Sequence, residues 1–295
     1  MTARDSDLWA TTQLADVERA LEDLVPVDAP VGLGLAMRYA VLDGGKRLRP
    51  LLVLAAAEAV QGAPLAAMRA AVAVELIHAY SLVHDDMPCM DDDALRRGKP
   101  TVHVQYGVAQ AMLAGDAMQA LAFEVLTPDE GIEPALQARL VALLARSAGH
   151  AGMAGGQAID LASVGKPLDE ATLRDMHRRK TGALLQASVL MGAACGQVSP
   201  RALQALSDYG AAIGLAFQVV DDILDVTEPS ETLGKTAGKD VQNNKPTYVS
   251  ILGLESARHY ALALRDQAHA ALARAGLLSS ARLAWLADKV VERNN

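Results

Sequence analysis

Apolar residues recur at intervals of three and four along nearly the whole chain, and this periodicity leaves little room for a sheet. Hydrophobic residues make up 51% of the sequence but aromatic residues only 3%. An alanine-rich, aromatic-poor composition favours closely packed helices, because alanine has the best helix propensity and strands prefer β-branched and aromatic residues. Helices are predicted over about 5–24, 32–42, 49–61, 65–87, 103–126, 134–149, 151–162, 169–179, 181–197, 200–226, 246–272 and 280–293, separated by Gly/Pro punctuation. No Pro/Ser-rich linker divides the 295 residues. The expectation is an all-α, single-domain helical bundle spanning 1–295, with its longest loop, about 227 to 245, as an active-site lid.

Two aspartate clusters stand out within this pattern, Asp85-Asp86-Met87-Pro88-Cys89-Met90-Asp91 and Asp221-Asp222-Ile223-Leu224-Asp225. Each ends an apolar helical run. Two unit charges ~4 Å apart repel by about 4 kcal/mol at an effective dielectric of about 20. Such a cluster is stable where water screens it, where it takes up protons, or where a cation binds it. The apolar surroundings argue against screening, and hard oxygen ligands in this number suit Mg²⁺ with a phosphate-bearing substrate. Asp221 and Asp225 are i and i+4, on one helical face, with Gln218 one turn earlier. His78, Ser81 and Asp85 also share a face, and Pro88 ends the regular helix so that Asp91 swings back toward Asp85. Glu75-x-x-His78 matches half of a di-iron carboxylate motif, but no second Glu-x-x-His occurs in the chain.

Basic groups flank both clusters, although the net charge is −8. Gly44-Gly45-Lys46-Arg47-Leu48-Arg49-Pro50 precedes an apolar helix, Arg96-Arg97-Gly98 follows the first cluster, Lys180-Thr181-Gly182 interrupts a helix, and Lys235, Lys239 and Lys245 lie in the long loop. The acidic balance argues against a nucleic-acid partner. Local cations beside carboxylates are what two diphosphates and several Mg²⁺ would need.

Taken in order with Gly155-Gly156-Gln157-x2-Asp160 and Phe217-Gln218, these motifs resemble those of the bacterial short-chain trans-prenyltransferases of the polyprenyl synthetase family, the farnesyl diphosphate synthases in particular. The match runs from about residue 40 to 255. The resemblance implies the isoprenoid synthase fold, a bundle around a deep central cavity. It implies a homodimer and about three Mg²⁺ per site, ligated by Asp85, Asp91 and Asp221, with Asp86, Asp222 and Asp225 as direct or water-mediated ligands. Lys46, Arg49, His78 and Arg97 would hold isopentenyl diphosphate. Arg96, Lys180, Lys235 and Lys245 would hold the allylic diphosphate, with Thr181 and Gln218 beside its reacting carbon. Two departures are Val249, where the family often has proline, and the tail Arg293-Asn294-Asn295, without a terminal lysine.

Tyr80 and Ser81 lie about one turn, ~5.4 Å, below Asp85 on the same helix. A bulky Tyr80 would floor the tail pocket at fifteen carbons, so the expected product is (2E,6E)-farnesyl diphosphate. The alternatives are geranylgeranyl diphosphate synthase and a non-catalytic prenyltransferase-like subunit. A terpene cyclase would not need a second diphosphate site. The two cysteines, Cys89 and Cys195, form no disulfide framework. With no apolar signal core in the first residues, and the most apolar stretch, 183–198, interrupted by polar residues, the expectation is a cytoplasmic protein without stable membrane insertion.

Overall fold

A computed structural model describes residues 3–42, 44–166, 168–227 and 247–293. The expected lid, together with Lys235, Lys239 and Lys245, lies outside them. The described residues form fourteen α-helices, one π turn, one 3₁₀ turn and a two-stranded hairpin. They are α1 (Ala3–Leu24), α2 (Leu33–Val41), α3 (Leu48–Ala59), α4 (Pro64–Asp85), β1 (Leu95–Arg96), β2 (Lys99–Pro100), α5 (Val102–Tyr106), α6 (Val108–Leu126), α7 (Pro134–Ala148), α8 (Met153–Ala162), α9 (Glu170–His177), the π turn Arg178–Gly182, α10 (Ala183–Ala194), α11 (Pro200–Thr227), α12 (Tyr248–Leu252), α13 (Leu254–Ala275) and α14 (Ala281–Val291). The all-α expectation holds.

Differences from the predicted segments have local causes. The segment expected at 103–126 breaks at Gly107 (φ 89°) and that at 246–272 breaks at Gly253 (φ 81°). Both glycines adopt backbone angles that a side chain resists, so a periodic pattern continues across a real corner. The hairpin pairs Leu95 with Pro100 and Arg96 with Lys99; its charged sequence carries no strand periodicity. Helix starts follow capping chemistry. Asp169 accepts the Thr172 N–H at 2.7 Å, and Thr247 and Ser250 form a reciprocal capping box.

Packing explains the alanine content. The long α11 lies between α10 and α13, and α4 lies between α3 and α6. A Cβ on Gly192 of α10 would stand 2.1 Å from the Val53 carbonyl oxygen of α3, so these backbones meet with only small residues between them. Along α4, Ala66, Ala70, Val74, Ile77 and Tyr80 are all buried, together with residues of its other faces. A helix apolar all round belongs inside a protein or a membrane. This one is long and apolar enough to cross a bilayer, but 72% of its most apolar window is buried against other helices.

Candidate active site

The end of α4 turns as Pro88 predicts. Asp91 donates its N–H to the Asp85 carbonyl at 2.9 Å, which returns Asp91 to the level of Asp85. Burial pushes the Asp85 carboxyl up to about 6, and the charge of Asp91 adds to the rise against the opposing pull of Lys180 and Arg96. Asp86 faces another way. Arg96 Nε lies 2.9 and 2.8 Å from its two carboxylate oxygens, and Nη2 donates to Oδ1 at 2.5 Å. Asp86, expected as a direct or water-mediated metal ligand, is engaged by Arg96 here: one residue further around a helix end is a rotation of ~100°, which turns its side chain toward the hairpin. Arg96, expected on the allylic diphosphate, is held by Asp86 and approaches Asp93 at 4.0 Å.

In the second cluster, Asp221 meets Arg293 from the chain end, Nη1 to Oδ1, at 3.1 Å. Asp222 is buried and accepts from Gln218 Nε2 at 2.9 Å and from the Tyr248 N–H at 2.8 Å. Gln218 in turn accepts from the Thr181 hydroxyl at 3.1 Å. Asp222 therefore orients Gln218 toward Thr181. Asp225 is also buried, at 4% exposure.

Lys180 and Thr181 sit in the π turn, the form taken by the predicted interruption. Glycine makes room for it: a Cβ on Gly156 would stand 2.2 Å from the Lys180 backbone nitrogen, and one on Gly214 2.7 Å from Gly182 Cα. Lys180 Nζ donates to Asp160 at 2.5 Å. The Gly155-Gly156-Gln157-x2-Asp160 motif thus seats this lysine, a role not legible in the motif itself. Gln157 keeps its buried amide without a hydrogen-bond partner.

The remaining cations form a wall beside these carboxylates. Arg97 donates to the Gly44 carbonyl at 2.6 Å, and its guanidinium lies against Gly45, where a Cβ would approach to 2.8 Å. Burial lowers the Arg49 pKa, opposed by Glu75 and Asp221 and reinforced by Arg97. Burial and then Arg49 and Arg97 hold His78 well below the usual histidine range, so its ring is neutral at pH 7. Burial and Arg293 lower Lys46. Carboxylates shifted up and cations shifted down are the two sides of one deficit, since a polyanion with its counter-ions would relieve both.

A cavity of about 380 Å³ opens beside Asp85, lined by His78, Tyr80, Ser81, Gln157, Lys180 and Thr181 among others. Tyr80 stacks edge-on against His84, ring centroids 5.7 Å apart, with its hydroxyl on the side of Gln119 of α6. His84 packs against Gly115, and its Nε2 is 3.1 Å from the Met112 carbonyl oxygen, a packing position. A larger groove, about 670 Å³, lies between α9, α11 and α13. Its Arg178 and Arg274 pair with Asp175 and Asp208, and its lining includes neither aspartate cluster.

Among the described residues, no three His, Cys, Asp or Glu side chains converge closely enough to hold an ion by themselves. This donor set fits Mg²⁺, which keeps several waters and is bound through one or two carboxylates plus substrate phosphates. A tightly caged metal would not fit.

Known proteins share the sequence and the fold. The model of the polyprenyl synthetase family matches residues 32–274. A geranylgeranyl pyrophosphate synthase of Capsicum annuum, chloroplastic by name, is 46% identical over 290 residues, 98% of this chain and 79% of the relative. The crystal structure of an FPP/GFPP synthase from Zymomonas mobilis superposes with a TM-score of 0.88 at 41% identity, covering 98% of this chain and 100% of that one. A geranyltransferase from Helicobacter pylori, complexed with magnesium and isoprenyl diphosphate, gives a TM-score of 0.84 at 33% identity, covering 96% of this chain and 95% of that one.

The cytoplasmic expectation is overturned by the chloroplastic relatives. It rested on the lack of an apolar leader, and plastid transit peptides are Ser- and Arg-rich, so that criterion does not separate the two compartments. By the family match over most of its length and its identity to these relatives, the chain belongs to the polyprenyl synthetase family.

Proposed function

We propose that the protein is a Mg²⁺-dependent prenyltransferase that condenses isopentenyl diphosphate head to tail with an allylic diphosphate. The carrying observation is the pairing of a half-buried carboxylate group, Asp85 with Asp91, with a separate wall of the cations Lys46, Arg49 and Arg97 and the neutral His78. A cyclase would need only the first. In this reading Asp85, Asp91 and Asp221 would hold the ions, about three per site. Mg²⁺, when bound, would stabilise the negative charge that develops on the leaving diphosphate. Lys180, fixed by Asp160, supplies a cation at the same oxygens. Gln218, oriented by Asp222, keeps its carbonyl dipole and the Thr181 hydroxyl near the carbon where positive charge develops. The neutral His78 donates a hydrogen bond to the second diphosphate, and the cavity excludes water from the cationic carbon.

Product length has two readings. Relatives named geranylgeranyl pyrophosphate synthases, 45–48% identical, favour a twenty-carbon product over the fifteen-carbon expectation. One structural observation favours fifteen: Tyr80, anchored by Gln119 and His84, stands in the wall below Asp85. Incubation with isopentenyl diphosphate and C5, C10 or C15 allylic partners, with and without EDTA, tests both levels. No elongation with any partner would end the enzymatic reading, and elongation insensitive to EDTA would end the metal assignment. The active form in this proposal is a homodimer of single-domain chains, in keeping with the exposed Val104, Val108, Met112 and Leu113 of α5 and α6.

A further inference from the structure

Arg47 carries no role in the site described above, yet it is among the most firmly held side chains around it. It lies between Lys46 and Arg49, and only 2% of its side chain is exposed. Its Nε and Nη2 donate to the two carboxylate oxygens of Glu18 on α1, at 2.6 and 3.0 Å. Nη1 donates to Glu75 of α4 at 2.7 Å, and Nη2 donates to the Val41 carbonyl at 2.5 Å. One guanidinium thus ties together α1, the end of α2 and α4 at the start of α3. Its own backbone is left-handed, with φ 44°, a conformation that a non-glycine residue keeps only where its surroundings hold it.

That conformation decides where its neighbours point. Residues on either side of a left-handed corner leave in directions that a right-handed residue would not give them. On one side of this corner Lys46 lies close enough to Asp221 to feel its charge, and on the other Arg49 is buried in the first turn of α3. On the opposite side Arg97 grips the preceding Gly44-Gly45 turn. Glu75, whose spacing to His78 mimics half of a metal motif, is engaged by Arg47.

We propose that Arg47, clamped by Glu18 and Glu75, is a positioning residue for the isopentenyl diphosphate site, acting through Lys46 and Arg49. The inference rests on the assignment of those two residues to that diphosphate. A buried clamp of this kind acts on one substrate: the allylic side is seated separately by Asp160 and the π turn.

The test is steady-state kinetics of R47Q, R47K and E18Q beside K46Q, with thermal unfolding as the check on folding. R47Q and E18Q are expected to raise KM for isopentenyl diphosphate about tenfold, the scale of a small misplacement of binding groups, with the allylic KM and kcat within about twofold. R47K keeps a cation but cannot span both carboxylates, so its KM falls between. If R47Q fails to fold, E18Q decides, because Glu18 is the more exposed partner at 32%. An unchanged isopentenyl KM in folded E18Q, or equal rises for both substrates, overturns the positioning role. An unchanged KM in K46Q shows instead that the underlying diphosphate assignment is wrong, and the inference falls with it.

Discussion

Arg293 stands over Asp221: Nη1 is 3.1 Å from the carboxylate, the guanidinium lies 4.0 Å from the Phe217 ring centroid, and Nη2 donates to the Phe217 carbonyl at 3.2 Å. The last described residue of the chain therefore neutralises the first carboxylate of the second cluster. An ion approaching Asp221 meets the charge of that guanidinium. R293Q is expected to raise Mg²⁺ affinity in the absence of substrate by about fivefold, the effect of a partly screened pair worth about 1 kcal/mol. Isothermal titration of the substrate-free protein measures this directly; an affinity equal to wild type would mean that the pair does not compete with the ion.

The raised Asp85 pKa has a pH signature. Its carboxyl titrates at about 6, mainly through burial, so below that value it is predominantly protonated and loses its strength as a cation ligand. Substrate-free Mg²⁺ affinity is expected to fall as pH drops through 6, with uptake of the ion near pH 6 releasing protons. The sign for folding is the reverse. This group's contribution to stability is present below the ordinary carboxyl value and is lost as pH rises through about 6. Titrations in buffers of different ionisation enthalpy count the protons. In D91N the Asp85 titration should move down only part of the way, because burial, not Asp91, is the larger cause.

Tyr80 separates the two product lengths. If its ring stops the growing tail, Y80A should yield products longer by at least one isoprene unit, with unfolding temperature reduced by loss of the Gln119 and His84 contacts. Chromatography of the dephosphorylated products reads the length. An unchanged product would place the stop elsewhere along α4 or α6.

The outer faces of α5 and α6 present Val104, Val108, Met112 and Leu113, each between 41 and 54% exposed. For a homodimer packed through this stripe, V108K/L113K is expected to shift the protein to monomer in light scattering. α6 also meets α4 through His84 and Gly115, one turn from Tyr80. A loosened α6 should therefore broaden the product distribution as well.

Much of this arrangement was legible in the sequence because it rests on short-range rules. Helical period, the Pro88 break and the i, i+4 spacing of Asp221 and Asp225 depend on neighbours along the chain. What was not legible depends on partners far apart in it. Asp85 and Asp86 are equivalent as letters, and only the hairpin that brings Arg96 to Asp86 distinguishes them. Arg47 reads as one of three basic residues until Glu18 and Glu75 close around it. The lysine of the π turn and the aspartate that seats it are distant in sequence, with no shared pattern to link them.

Gly156 offers a strict test of that last link. A methyl group there would stand 2.2 Å from the Lys180 backbone nitrogen and 2.6 Å from its Cα, both in a turn with no flexible side chain to move aside. G156A must push α8 away from the π turn, at a cost of about 1–3 kcal/mol for overpacking. The displacement would also separate Asp160 from Lys180. Activity is therefore expected to fall more than stability alone explains, with the allylic KM raised and the isopentenyl KM little changed, the reverse of the pattern expected for Arg47. Thermal unfolding and the two KM values together decide the matter: a destabilised G156A with both KM values at wild-type level would mean that Asp160 does not seat the lysine for the allylic substrate.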